Sequence, residues 1–157
     1  SLFAAKSLLG IAEIFLITGI EMTLFAVNGH LQQYADVLSA GQIAYYLLCT
    51  VSVNIMLFFF EFLLTILLKN PLPAVCVGIA GALVGLFSAF MPKGFSLFVP
   101  WGYYIPLSRY YIKDWSRDTH TVIYGVQGCQ WLLLIWVLVL MSALFVVTWH
   151  VIQKKEV

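Results

Sequence analysis

The sequence predicts an all-α integral membrane protein with about four transmembrane helices and a re-entrant, interfacial helical segment on the outer side before the last of them. Three observations predict this class. Hydrophobic residues make up 62% of the 157 residues and charged residues only 10%, whereas soluble domains are typically about 25% charged. The apolar residues form runs of the roughly 20 residues that a transmembrane helix needs. Polar or proline-containing segments separate these runs.

The first two predicted spans cover residues 2–27 and 43–68. The turn signal Asn28-Gly29 ends the first span, and the polar loop that follows contains no Lys or Arg. The second span leads into the proline-containing turn Lys69–Pro73, and a proline suits the first turn of the next helix.

The third and fourth predicted spans cover residues 74–90 and 130–152. Pro92-Lys93-Gly94 stops the third span, because proline and glycine interrupt helices. Residues 95–129 then form the outer interfacial segment, and a charged tail follows the fourth span. The four spans form a single transmembrane domain.

Lysines near the span ends predict the orientation in the membrane. With four spans, the lysines of both termini and of the second connection share one side: Lys6, Lys69, Lys154 and Lys155. Basic residues in short loops mark the cytoplasmic side, so the C-terminus of this multi-pass protein is expected in the cytoplasm. The outer connection also contains basic residues, which conflict with this rule: Lys93, Arg109, Lys113 and Arg117.

The stretch from residue 98 to residue 108 contains two prolines and a glycine. It also contains the aromatic residues Trp101, Tyr103 and Tyr104. Pro100 and Pro106 cannot lie inside an ordinary helix without breaking its hydrogen bonds. Trp and Tyr prefer the membrane–water boundary. The stretch is therefore predicted to be a broken segment at that boundary, either a site or a connector.

Residues 107–129 alternate aromatic with charged side chains. Leu107, Tyr111 and Trp115 recur at about helical spacing, which predicts an amphipathic helix in the outer membrane interface. The chain is then expected to return toward the last span over Thr119–Gly128, with Gly125 and Gly128 as flexible points.

Acidic and amide side chains at membrane depth are candidates for a functional site, because such residues are costly in lipid and face protein or water. Glu13 and Glu21 share a broad face of the first span, and Asn54 and Glu61 are nearly eclipsed on the second. A polar stripe of the first span is expected to face that of the second. Alternatively, each acid pairs with a Ser, Thr or Asn of a neighbouring helix and only holds the bundle together.

Three glycines of the third span are predicted to serve helix packing, because small residues let transmembrane helices approach closely: Gly78, Gly81 and Gly85. Ser88 and Ser142 are predicted to pack or to bond back to their own helices. The three histidines share no metal-ligand spacing, and no catalytic constellation is recognisable. The net charge of +1 implies no nucleic-acid partner.

Three pieces of the sequence carry a resemblance to a known family. Leu2–Lys6 before an apolar span, Pro71–Pro73 leading to Gly78–Gly81, and Val99–Tyr103 with Pro106 resemble the C-terminal part of an ABC-2 type permease. Within that class the chain is most similar to the lantibiotic (bacteriocin) immunity permeases. Such permeases usually have six spans, so two further spans and a coupling helix are expected before Ser1.

The resemblance implies a transport subunit of the bacterial plasma membrane, without a catalytic site of its own. Its partners would be a second permease and two ATP-binding cassette ATPases, which bind ATP and Mg, while this chain holds no cofactor or metal. The substrate would be an amphiphilic peptide expelled outward. In that family, re-entrant outer helices join the last two spans, so the outer segment is a candidate gate or substrate contact through these residues: Trp101, Tyr103, Tyr104 and Arg109.

Two other classes remain open from the sequence. A proton-coupled secondary transporter would use Glu13 and Glu61 as proton carriers, and a non-catalytic subunit of a signalling or secretion assembly would need neither. A small intramembrane enzyme with Glu13 or Glu61 as general base is less favoured, because no nucleophile or metal ligand accompanies them.

Overall fold

The computed structural model describes residues 2–31, 39–68, 70–91, 94–116 and 121–155. Five helices and one two-stranded sheet are assigned in these ranges, in chain order: α1 (Leu2–Leu31), α2 (Ala40–Leu68), α3 (Pro71–Phe87), α4 (Tyr104–Leu107), β1 (Tyr110–Ser116), β2 (Thr121–Val126) and α5 (Trp131–Lys155). Short 3₁₀ turns lie at Ser88–Phe90, Phe95–Leu97 and Pro100–Gly102. Within the described residues, four helices are long and apolar enough to cross a membrane, which confirms the predicted fold class.

Helix α1 continues past the predicted turn at Asn28-Gly29 and ends at Leu31. A glycine costs a helix only about 1 kcal/mol relative to alanine, which a long helix can absorb. Helix α3 begins at Pro71, earlier than predicted, because Asn70 caps it: the Leu72 amide donates to the Asn70 side chain at 3.0 Å.

Aromatic pairs show how three of the long helices, α1, α2 and α5, are arranged. The ring of Phe3, at the start of α1, lies 5.9 Å from that of Phe62 in α2 and 5.1 Å from that of Trp149 in α5. At the opposite end, Tyr45 of α2 lies 5.3 Å from Trp131 of α5. The start of α1 and the end of α5 therefore lie at the same end of the bundle. The other end, which carries the sheet, is called the hairpin end.

Helix α2 is the centre of the bundle and packs against α1, α3 and α5. Its interface with α5 is the most extensive, and Val53 and Val137 are completely buried there. Apolar surface buried in a membrane gains little from the hydrophobic effect, so close packing of side chains stabilises this core.

Strands β1 and β2 pair as an antiparallel β-hairpin, so the amphipathic helix predicted from Leu107, Tyr111 and Trp115 is wrong. Tyr110 pairs with Val126 and Tyr111 with Gly125. β-Branched and aromatic residues, which favour strands, outweighed the helical spacing of Leu107, Tyr111 and Trp115. Gly125 is not a flexible point, since a Cβ there would lie 2.5 Å from the Tyr111 ring, which covers the glycine.

Gln127 fastens the hairpin to the end of α4. Its backbone amide donates to the Arg109 carbonyl at 2.8 Å. Its side-chain Nε2 donates to the carbonyls of Pro106 at 3.0 Å and Ser108 at 2.6 Å. One side chain therefore joins the base of the hairpin to the chain that enters it.

We expect Gln127→Leu to loosen the hairpin. The change removes two hydrogen bonds that contribute about 1 kcal/mol each, so the hairpin should open roughly 30-fold more often. Hydrogen exchange of the β1 and β2 amides measures this opening. Gln153→Leu, at an exposed position of α5, is the control and should leave the exchange rates unchanged. Equal rates in both variants would contradict the assigned role of Gln127.

Candidate functional site

Residues 95–107, here called the re-entrant segment, lie against both α2 and α3. Two breaks in the helical pattern shape this segment. Val99 is extended (φ −110°, ψ 110°), as expected for a residue before proline, and Pro100 starts the next turn. Ser108 is again extended (φ −64°, ψ 143°) and ends α4. The prolines predicted a broken segment, and the structure has one.

The glycines of α3 allow this segment to approach the helix. A Cβ on Gly81 would lie 2.3 Å from the Trp101 indole, and a Cβ on Gly85 would lie 2.6 Å from the Trp101 carbonyl oxygen. The indole also meets the Phe60 ring edge-on at 5.4 Å. Gly81 lies near the middle of the helical span Pro71–Phe90. The indole therefore reaches the middle of α3, and Gly81 and Gly85 accommodate the re-entrant segment, not another long helix.

Tyr104 connects the segment to α2 through a hydrogen bond. Its hydroxyl donates to Oδ1 of Asn54 at 2.6 Å. Asn54 is half-buried and lies near the middle of α2. The neighbouring Tyr103 is buried in the main apolar cluster with Val53 and Leu134. Trp101 thus holds α3 while Tyr103 and Tyr104 hold α2.

The environment of Tyr104 keeps its phenol protonated. Burial raises the pKa of Tyr104, and the nearby Glu21 carboxylate raises it further. A neutral phenol can donate to Asn54, whereas a phenolate could not.

Glu61 lies at the contact of α2 with α3. A Cβ on Gly78 would lie 2.5 Å from the Glu61 Oε1 atom, so the glycine makes room for the carboxyl group. The Thr65 hydroxyl donates to the backbone carbonyl of Glu61 and not to its side chain. Among the residues that the structure describes, none donates a hydrogen bond to the Glu61 carboxyl group.

Glu13 does not face the polar residues of α2, and that prediction is wrong. The side of α1 that packs on the bundle carries Phe3, Ser7 and Thr18, which are buried. Gly10 lies on the same side, where a Cβ would meet the Phe58 ring at 2.3 Å. Small side chains set the approach of the two helices, and Glu13 lies off this face and is exposed.

Arg109 lies just after the re-entrant segment, at the base of the hairpin, where its carbonyl accepts from the Gln127 amide. Its Nε atom is buried and has no hydrogen-bond partner among the described residues. The structure therefore brings Trp101 to the glycines and Tyr104 to Asn54, and leaves Arg109 and Glu13 elsewhere.

Sequence reasoning missed three residues that shape the site. Phe60 packs on Trp101, Gln127 clamps the hairpin, and Tyr45 accepts a hydrogen bond from the Gln130 amide at 2.8 Å. No short motif marks these residues, because each acts on a residue distant in sequence. The predicted back-bonds of Ser88 and Ser142 are confirmed: these hydroxyls donate to the carbonyls of Gly85 and Leu138.

Comparison of the chain with protein-family models, curated proteins and solved structures finds no match. Among the described residues, no group of three or more His, Cys, Asp or Glu side chains is placed to hold a metal ion. The site described above is an aromatic segment that the Tyr104–Asn54 hydrogen bond, the burial of Tyr103 and the contacts of Trp101 hold against α2 and α3.

Proposed function

We propose that this chain is a membrane-spanning permease subunit of an ABC exporter of the ABC-2 type. One observation carries the proposal: residues 95–107 pack between α2 and α3 at the hairpin end, shortly before the last transmembrane helix. The family resemblance implies such re-entrant helices at this point of the chain. The hairpin end then faces outward and both chain ends face the cytoplasm of a bacterium.

The proposed cargo is an amphiphilic antimicrobial peptide of the lantibiotic class, removed from the plasma membrane and expelled outward. The free edge of the re-entrant segment supports such a cargo, because it is apolar and uncovered. Phe98 is 86% exposed, and Phe95 and Leu97 are also exposed. Aromatic and aliphatic side chains suit the apolar face of an amphiphile.

The proposed mechanism uses the shape of the bundle. ATP and Mg bind in two partner ATPase subunits, with a second permease completing the exporter. Only Lys69 and Asn70 separate α2 from α3 at the end away from the hairpin, so a push there moves both helices. Since Trp101 holds α3 and Tyr104 holds α2, relative movement of the helices must change one of these contacts. The re-entrant segment therefore acts as the outer gate.

The test is peptide tolerance in cells that make the whole exporter. We expect the wild-type chain with its ATPase to raise the tolerated concentration of the peptide. Replacing the Walker lysine of the ATPase should abolish this protection. Alanine variants of Trp101 and Tyr104 should reduce protection at normal expression, while Tyr124→Ala, on an exposed hairpin position, should not.

Glu61 favours a second candidate, a proton-coupled secondary transporter. Its carboxyl group lies between two transmembrane helices without a donor among the described residues, and intramembrane acids serve as proton carriers. Protection that collapses with the proton gradient but survives ATP depletion would select this candidate and overturn the exporter. Protection that requires ATP and survives an uncoupler would exclude it.

A further inference from the structure

The exposed side of α1 differs from the exposed sides of the other long helices. Only 11% of its most apolar window is buried, compared with 22% for α2 and 17% for each of α3 and α5. The side chains of this surface follow each other at intervals of three and four residues, and all are exposed: Lys6, Leu9, Glu13, Leu16, Ile20, Thr23 and Val27. Intervals of three and four form the seam along which two helices pack at a shallow angle. These residues are called the α1 seam.

Glu13 is the residue of the α1 seam whose side chain is least suited to contact with lipid. It lies near the middle of α1, where an acidic side chain is costly in lipid. Glu61 is tucked against Gly78 of α3. Glu13, in contrast, points away from the described helices. Such a residue requires a partner at its own depth.

We propose that the α1 seam is the contact surface for a transmembrane helix other than the four described here, which presents a hydrogen-bond donor to Glu13. A carboxylate accepts hydrogen bonds only, so the complementary side chain is a hydroxyl, an amide or a basic group. Lys6 lies seven residues away on the same side, nearly eclipsed with Glu13. The helix that fits therefore also carries an acceptor toward the Lys6 end.

A second copy of α1 does not have this chemistry. Two identical helices in one membrane with the same orientation would place Glu13 opposite Glu13 and Lys6 opposite Lys6. Like charges at close range disfavour each other's ionised forms. A helix of different sequence can place a donor opposite Glu13 and an acceptor opposite Lys6. We therefore assign the α1 seam to a helix that is not a second copy of α1. The exposure and charge of α1 carry this conclusion whichever cargo the protein moves.

The test is photo-crosslinking in cells that make the protein with its natural partners. A benzophenone amino acid replaces Leu16 in the seam, which is 63% exposed, or Val139 on α5, which is 54% exposed. Mass spectrometry then identifies the crosslinked peptide. We expect position 16 to crosslink to one transmembrane segment that carries Ser, Thr, Asn, Gln, Lys or Arg within one helical turn. Position 139 should give lipid adducts.

Variants of Glu13 show whether the donor matters. An interhelical hydrogen bond in a membrane is worth about 1–2 kcal/mol in model peptides, so Glu13→Leu should lower the crosslinking yield roughly 5- to 30-fold. Glu13→Gln, which still accepts a hydrogen bond, should keep most of the yield. Size-exclusion profiles of each variant monitor folding. Lipid adducts alone at position 16, a crosslink to α1 of a second copy, or a yield that Glu13→Leu leaves intact would each overturn the proposal.

Discussion

Gly85→Leu is expected to force the re-entrant segment away from α3 and to cause the largest loss of stability among single substitutions. A Cβ at Gly85 would lie 2.6 Å from the carbonyl oxygen and 2.7 Å from the carbonyl carbon of Trp101. Backbone atoms cannot rotate away as a side chain can. Overpacking typically costs about 1–3 kcal/mol, and the upper value would lower the thermal transition by about 6–12 °C.

Thermal unfolding of the purified protein in detergent measures this loss. Gly19→Leu is the matched control, because Gly19 is also a glycine of a long helix and a Cβ there meets nothing within 4 Å. The control should unfold at or up to about 4 °C above the wild-type temperature, because leucine favours helix more than glycine does. A Gly85→Leu protein that unfolds with the control would contradict the observed packing of Trp101 on α3.

Tyr104→Phe is expected to weaken the attachment of the re-entrant segment to α2. The variant removes the hydroxyl that donates to Asn54 at 2.6 Å and leaves the half-buried amide oxygen without that donor. The expected cost is about 1–2 kcal/mol of unfolding free energy. We also expect lower peptide protection, because the proposed gate loses its hydrogen bond to α2.

A double-mutant cycle with Asn54→Leu isolates the hydrogen bond from other effects. The two single variants should each destabilise the protein, and the double variant should lose about 1 kcal/mol less than the sum of the single losses. Tyr124→Phe, at a tyrosine that is 66% exposed, controls for loss of a hydroxyl. Strict additivity would show that Tyr104 and Asn54 do not interact.

The four transmembrane helices could be predicted because long apolar runs leave few alternatives. Helix ends were less predictable. Helix α1 continues through Asn28-Gly29, and α3 begins at Pro71 and not at residue 74, because Asn70 caps it. The hairpin was missed because the spacing of Tyr111 and Trp115 is compatible with a helix, although both residue types also favour strands. Recognising the strand requires its partner, β2, and pairing between segments is not visible in a local spacing.

The site was predictable in part. The unusual composition around Trp101 indicated where it lies, but not what it contacts. Gly81 and Gly85 suggested a close approach without naming the partner, which is Trp101 and not another long helix. The rotation of α1 about its axis was beyond sequence reasoning, because the fit of Gly10 against Phe58 decides it. As a result, Glu13 was predicted to face α2 and instead faces away.

The most direct test of the proposed gate is to lock the re-entrant segment onto α3. A Cβ at Gly102 would lie 2.8 Å from the Ser88 hydroxyl oxygen, so cysteines at these two positions are close enough for a disulfide. The background replaces the native cysteines with alanine: Cys49, Cys76 and Cys129. The paired cysteines leave Trp101 and Tyr104 in place.

The measurement is peptide protection by the complete exporter before and after reduction. We predict that oxidation forms a disulfide between the cysteines of Ser88→Cys and Gly102→Cys and abolishes protection. A reductant should then restore protection. Each single-cysteine variant should protect under both conditions. Full protection while the crosslink is complete would contradict a gate that must move. Two cysteines that react with maleimide yet never form a disulfide would contradict the packing of the segment beside Ser88.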